Sequence, residues 1–448
     1  MSRMGVFLLA TMLVLPALAQ ESQPNRVTAQ VVTDADGPQS TPVLNLSDVV
    51  REALEKNPGV QSALHAVAAQ RHRIPQAKSL PDPEVSVGWM GNLTPFSVQE
   101  GDPSSYRGIG VMQNIPYPGK LKLRGEIATQ EVQTAHWDSE AVQRRVVAEV
   151  KSAYYAYFFN DKALEITRKD KDLLQKLSSI SEARYRVGKG MQQDVLKSQV
   201  EVSLLLQKIT VLEQQRATAQ ARLNTLLSRS PESPLPPAAS LEPAALNESL
   251  DALYAAAKQQ DTVLQGGQAT IRRARLATEL ARKDYLPDFN VAYMFQQRPM
   301  LPDMNGMTFT VNVPVFYKTK QREEVRQATE EVLSAERSRD NRLNELQFEV
   351  KQQYLAAQAA KQLLDLYAKA VIPQSSLALE SSMSAYQVGN VDFLTMLSNF
   401  TTVLNYEVDY YRELADYQIA LARMEPLVGM ELTSAKPLPS AGGAHSAK

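Results

Sequence analysis

Hydrophobic and polar positions follow two different rhythms along this chain. Over four short stretches the period is two, as in a half-exposed strand. Over 84–93, Val85, Val87, Trp89 and Leu93 alternate with Glu84, Ser86, Gly88, Met90 and Asn92, so one face is apolar and the other small or polar. Over 288–297, Phe289, Val291, Tyr293 and Phe295 do the same against Asp288, Asn290, Ala292, Met294 and Gln296. Partner strands are read at 105–116, with Ile109, Val111 and Ile115 opposed to Gly108, Gly110, Met112 and Asn114. The last is read at 306–316, with Met307, Phe309, Val311, Val313 and Val315 opposed to Thr308, Thr310 and Asn312. The segments between partners, Thr94 to Ser104 and Arg298 to Asn305, hold the Pro, Gly, Ser, Asn and Asp of exposed turns.

Elsewhere the period is helical. Helices are predicted over Ser47–Ser79 and Leu246–Tyr285, long helices over 118–187 and 318–388, and return helices over 191–228 and 391–430. Helices of about 70 residues would run on the order of 100 Å. Val146, Val150, Tyr154 and Tyr157 match Leu346, Val350, Tyr354 and Ala357 in a narrow stripe that reads as a helix-packing seam. Pro373 lacks a backbone donor and is expected to kink or break the second long helix. Val187-Gly188-Lys189-Gly190 and Val388-Gly389-Asn390 supply the reversals between long and return helices.

These elements form two copies of one unit, 44–230 and 246–432, separated by a Pro-rich linker at 231–245. Leu80-Pro81-Asp82 recurs as Leu286-Pro287-Asp288, Asn114-Ile115-Pro116 as Asn312-Val313-Pro314, Val150-Lys151 as Val350-Lys351, and Tyr185-x-Val187-Gly188 as Tyr386-x-Val388-Gly389. The fold class is mainly α with a small β part, each copy making a long helical hairpin below two strands.

Composition sets the compartment. Arg3, the apolar run Val6–Leu15 and Ala17-Leu18-Ala19 form a secretory signal over 1–19, and the apolar run is well short of the roughly 20 residues a spanning helix needs. A flexible segment over 20–43 and a disordered tail over 433–448 are expected to flank the duplicated body. With no cysteine there is no disulfide framework, no thiolate metal site and no lipid-bearing cysteine. The balance of 48 basic against 49 acidic residues argues against a nucleic-acid partner. No later segment carries 18 consecutive apolar residues, so any membrane crossing must use strands. Four strands cannot close a barrel, because single-chain barrels start at about eight. The chain is therefore expected to pool strands with copies of itself.

At this point the residues resemble the TolC-type outer-membrane efflux proteins from about Leu44 to Leu432. Arg184-Tyr185-x-Val187-Gly188 with Asp194-Val195-Leu196 is similar to that family's first hairpin tip, and Tyr386-x-Val388-Gly389 with Val391-Asp392-Phe393-Leu394 to its second. Pro116-Tyr117-Pro118-Gly119-Lys120-Leu121 with Leu123-Arg124 is similar to the heavy-metal cation branch. The resemblance implies a homotrimer with a 12-stranded barrel in outer-membrane lipid above a periplasmic helical tunnel. It implies a passive duct for small solutes, metal cations among the candidate cargoes, driven by an inner-membrane pump through a periplasmic adaptor. The adaptor would dock on the tips, Arg184, Tyr185, Val187, Gly188, Lys189 and Gly190 with Tyr386, Val388, Gly389 and Asn390. No cofactor and no enzymatic activity are implied.

Asp392 matches a family position whose carboxylates ring the tunnel mouth, and an acid there also suits a helix N-terminus. Thr395 stands where some relatives have a second acid. Asp194 matches a gating acid that pairs in some relatives with a basic residue of the second tip. That tip reads as about three residues shorter, without Arg or Lys between Gly389 and Asp392. Trp89, Tyr293 and Phe295 are read as an aromatic girdle. His65 and His72 lie seven apart on one helix, but without a further ligand they read as surface or packing residues, so no metal site is expected. Met90, Met112 and Met294 on the inward strand face read as packing. Two other functions remain open on the sequence alone: an outer-membrane duct for type I protein secretion, and a soluble periplasmic coiled-coil scaffold.

Overall fold

The computed structural model describes residues 43–91 and 97–433. The signal over 1–19, nearly all of the segment over 20–43, Leu93 and the tail beyond Thr433 lie outside the described residues.

The first predicted helix is two: α1 (Leu46–Lys56) and α2 (Pro58–Lys78). Asn57 is why, because its side chain caps α2 at the Gly59 N–H and Pro58 takes the first helical position, where a missing donor costs nothing. The same break divides its counterpart into α5 (Leu250–Gln260) and α6 (Thr262–Lys283), with Asp261 capping the Leu264 N–H at 2.7 Å.

Strands β1 (Glu84–Met90), β2 (Tyr106–Ile115), β3 (Asp288–Gln297) and β4 (Met304–Asn312) form one antiparallel sheet in the order β1-β2-β3-β4. The two hairpins thus join through β2 and β3, with Ile109 opposite Phe295 and Val111 opposite Tyr293. Strand β4 stops at Asn312, short of the expected 316, and Val313 and Val315 fall outside the ladder. Pro314 offers no N–H, and Val315 donates back to Val313 in a tight turn. On one face the rows are apolar, such as Val85-Val111-Tyr293-Met307, while the other carries rows such as Ser86-Gly110-Met294-Gly306. Val87 is 81% and Phe309 70% exposed, an apolar face that water would not favour.

Below the sheet run α3 (Lys120–Arg186), an unbroken helix of 67 residues, and its return helix α4 (Gln192–Leu226). The second copy has α7 (Gln321–Leu366), a π-turn over Tyr367–Val371, α8 (Ile372–Val388) and the return helix α9 (Phe393–Val428). The long helix read over 318–388, with a kink or break anticipated at Pro373, is interrupted just ahead of that residue, where a wider turn accommodates the missing donor. Near the sheet, α2 packs on α3, α3 on α6 and α6 on α7; further away α4 packs on α3, α3 on α9, and α9 on α7 and α8.

The Pro-rich stretch is strapped to the helices. Tyr154 Oη donates to the Leu44 carbonyl at 2.9 Å and accepts from the Ala239 N–H at 3.1 Å. Tyr157 Oη lies 3.3 Å from both the Leu235 and Pro236 carbonyls, and Tyr417 donates to Ala244 at 2.7 Å. A proline-rich segment forms no ladder of its own, so its carbonyls take side-chain donors instead. The stripe containing Tyr154 and Tyr157 is buried under this strap as well as against neighbouring helices.

Candidate functional site

The two hairpin reversals lie at the end of the helices away from the sheet, and their local geometry is the same. After α3, Gly188 (φ 72°) donates to Tyr185 and Lys189 donates back to Arg184 at 2.8 Å. After α8, Gly389 (φ 81°) donates to Tyr386 and Asn390 donates back to Ala385 at 2.9 Å. Nothing lies within 4 Å of where a Cβ would stand on either glycine, so the left-handed backbone and not space selects glycine. Within this chain the two tips are of equal length. From the reversing glycine to the residue capping the return helix, Gly188 to Met191 and Gly389 to Asp392 span the same distance in sequence. The acids are offset instead: Asp392 occupies the place of Met191, and Asp194 that of Thr395.

Asp392 caps α9, accepting from the Thr395 N–H at 3.1 Å. The Thr395 hydroxyl and N–H hold its carboxyl below the usual carboxylate range, so it stays ionised at the exposed tip. Asp194 sits half-exposed in the first turn of α4 and makes no side-chain hydrogen bond or ion pair among the described residues. The basic residue that crosses between tips is Arg184 of the first. Its Nη1 donates to the Tyr386 carbonyl at 3.1 Å, and its guanidinium lies 4.5 Å from the Tyr386 ring centroid. Tyr386 in turn meets buried Phe393 edge-on at 5.7 Å. Sequence reasoning placed Arg184 and Tyr386 on the tips but missed their contact, which needs both hairpins side by side. Val187 and Val388 stand out from the tips, 68% and 72% exposed. Tyr185 is exposed beside them, and Gly190 packs close to Arg184.

Further up α3, Asp170 has one carboxylate oxygen with no hydrogen-bond partner among the described residues. Burial, reinforced by the Glu407 charge, pushes its carboxyl up to about 6.

At the far end, Trp89, Tyr293 and Phe295 share the apolar face in neighbouring rows near the strand-to-strand loops, and Tyr293 Oη donates to Asn305 Oδ1 at 2.7 Å. A second aromatic group went unnoticed in the sequence. Tyr285 and Tyr317 lie 6.4 Å apart at the helix end of the sheet, with exposed Phe316 next to them. The repeated aromatics flanking the strands were the available signal. The strands between the two groups, such as the ten residues of β2, span on the order of 30 Å, the scale of a hydrocarbon core. No described helix is long and apolar enough to cross a membrane. No group of three or more metal-ligating side chains occurs among the described residues, so His65 and His72 form no such cluster.

A sheet with one bare apolar face, set on a duplicated helical bundle with reversing tips, defines a class of channel protein. The chain belongs to the outer membrane efflux protein family, whose model matches residues 49–229 and 253–430. Among solved structures it is similar to a membrane protein from Pseudomonas aeruginosa, with 17% identity, a TM-score of 0.75, and coverage of 89% of this chain and 99% of that one. VceC of Vibrio cholerae is similar at 14% identity and TM-score 0.72, covering 86% and 96%. The open state of the Neisseria gonorrhoeae MtrE outer membrane channel is similar at 15% identity and TM-score 0.71, covering 91% and 98%. At these identities the likeness concerns the fold. A search of curated proteins by sequence found no match.

Proposed function

We propose that three copies of this chain assemble into a passive exit duct for small solutes, a 12-stranded barrel in the outer membrane continuing into a helical tunnel through the periplasm. The observation that carries this is an unfinished edge at every level. In the sheet β1 and β4 are the outer strands, with no further partner among the described residues. Beneath them α2 and α4 flank one side and α7 and α8 the other. An open strand edge is not tolerated within lipid, and a head-to-tail contact between those two sides closes a ring.

In this reading the signal over 1–19 is removed on export, and Trp89, Tyr293 and Phe295 sit at one membrane surface. The tips form the periplasmic mouth, where threefold Asp392 carboxylates favour cations, metal cations among them. A periplasmic adaptor docks on the exposed tip residues around Val187 and Val388, and an inner-membrane pump supplies the energy. The duct itself catalyses nothing and needs no cofactor.

The test is the native mass and bilayer conductance of protein extracted from outer membranes in mild detergent. The duct requires a particle of roughly three chains, each somewhat under 50 kDa, that inserts and passes a small cation-selective current. A water-soluble monomer or dimer that never inserts would leave the periplasmic scaffold as the function.

A further inference from the structure

The internal duplication specifies how one copy meets the next, resting on the ring reading above. Moving a residue of β1 up by 206, as Asp82 moves to Asp288, places it on β3; moving one of β2 up by 198, as Asn114 moves to Asn312, places it on β4. Under these shifts the pair Val85 and Val111 becomes Val291 and Phe309, a pair the second hairpin does make. The two hairpins therefore share one register. The seam between them, β2 on β3, then has a counterpart that one chain cannot make by itself, β4 on the β1 of another copy.

We infer that β4 of one copy pairs antiparallel with β1 of the next in the register transferred from the β2–β3 seam, and that an ion pair between Lys318 and Asp82 fastens its base. The observed pairs Ile109 with Phe295, Val111 with Tyr293 and Met112 with Ala292 become Met307 with Trp89, Phe309 with Val87 and Thr310 with Ser86. Each joins like with like, two apolar pairs toward lipid and one polar pair toward the lumen. Asn114 with Asn290 becomes Asn312 with Glu84, so all seven residues of β1 find partners inside β4, from Asn312 back to Gly306.

The charges at the base of the seam follow the same duplication. At the base of the β2–β3 seam, Asp288 Oδ1 accepts from Lys120 Nζ at 2.9 Å and from the Tyr117 N–H at 2.7 Å. The same shifts carry Lys120 to Lys318 and Asp288 to Asp82, again a lysine and an aspartate. Both are exposed and neither forms an ion pair among the described residues, although Lys120 is buried against two carboxylates. Opposite charges thus stand unpartnered on the two edges that meet.

The chain has no cysteine, so the seam can be read directly by introduced disulfides. Directly opposed residues of an antiparallel pair bring Cα atoms to about 4.5–5.5 Å, within disulfide reach. Ser86→Cys with Thr310→Cys in one chain is oxidised in outer membranes and run on a non-reducing gel. Covalent dimers and trimers are expected from this pair, and little from the pairs displaced by two, Ser86→Cys with Thr308→Cys or with Asn312→Cys. Preferential linkage of a displaced pair in an intact trimer would overturn the register and leave the duct standing. Absence of any linkage together with a monomeric native mass would overturn the duct reading itself. In parallel, Asp82→Lys and Lys318→Asp are each expected to lower the temperature at which the trimer falls apart, and the double exchange to restore it. Additive losses in the double exchange would exclude the ion pair.

Discussion

Arg184 reaches from the first hairpin tip to the second, its guanidinium lying over the Tyr386 ring and bonded to the Tyr386 carbonyl at 3.1 Å. Tyr386 precedes the left-handed Gly389 that turns the chain into Asp392 and α9. Helix α8, which carries this tip, is joined to α7 through the π-turn at Tyr367–Val371. Among its described residues it buries Ser382 alone, whereas the last two turns and more of α3 bury Leu174, Leu177 and Ser181. The second tip is the less firmly packed of the two, so a contact from the first has leverage over it.

Arg184→Ala is expected to remove about 1 kcal/mol of stacking and hydrogen bonding and to raise single-channel conductance. Arg184→Lys should behave more like alanine than like arginine, because lysine lacks the planar fork that stacks and donates together. Unchanged conductance in both variants would show that this contact does not restrain the mouth.

Asp392 combines a cap with a charge, and two substitutions separate them. Asparagine caps about as well as aspartate but is neutral, so Asp392→Asn should lower cation selectivity while the melting temperature stays near wild type. Asp392→Ala should lower both. Reversal potentials across a salt gradient, read beside thermal melts, decide between the two roles.

Asp170 should make the protein less stable as pH rises. Its folded carboxyl titrates near 6, above the ordinary 3.8, so between these values the folded chain keeps a proton that the unfolded chain has lost. Stability from this group is full below about 4 and declines until pH passes about 6. The shift of about two units corresponds to roughly 3 kcal/mol, discounted to about 1 kcal/mol for a half-exposed group screened by water. Asp170→Asn should therefore gain stability over wild type at pH 7.5 and little at pH 4.5, as measured by denaturation at both.

Lys151 anchors the end of the described chain. Its Nζ lies 2.7 Å from Glu425 Oε2 and 2.8 Å from Thr433 Oγ1, with the lysine and glutamate side chains only 5% and 9% exposed. Glu425 Oε1 in turn accepts the Leu432 and Thr433 N–H groups. Lys151→Ala would leave that carboxylate buried and uncompensated, at a cost of about 3–5 kcal/mol. Faster proteolysis near Thr433 should accompany the loss. A shift below 1 kcal/mol would mean that water enters to solvate Glu425.

Much of this was legible because periodicity reports burial directly. Alternation over Val85–Trp89 and Phe289–Phe295 marked the strands and their bare face, since a period of two has one geometric meaning. Glycines followed by a return helix marked the tips, because Gly188 and Gly389 must take a left-handed backbone. Asn57-Pro58 and Asp261 were equally visible as helix starts but were read through, since the apolar rhythm continues across them. The offset between the acids came only from the backbone, where Met191 and Asp392 hold corresponding places ahead of their return helices.

By itself, the sequence determined the duplication, the element types, the apolar strand face and the family, because each depends on local periodicity or on motifs repeated along the chain. Tertiary structure decided what depends on segments far apart in sequence. It strapped the proline-rich stretch under Tyr154, Tyr157 and Tyr417, set Arg184 against Tyr386, and put β2 beside β3. A side chain's partner is chosen by which surfaces must be buried together, and pattern along one strand or helix carries the wish to be buried without the address.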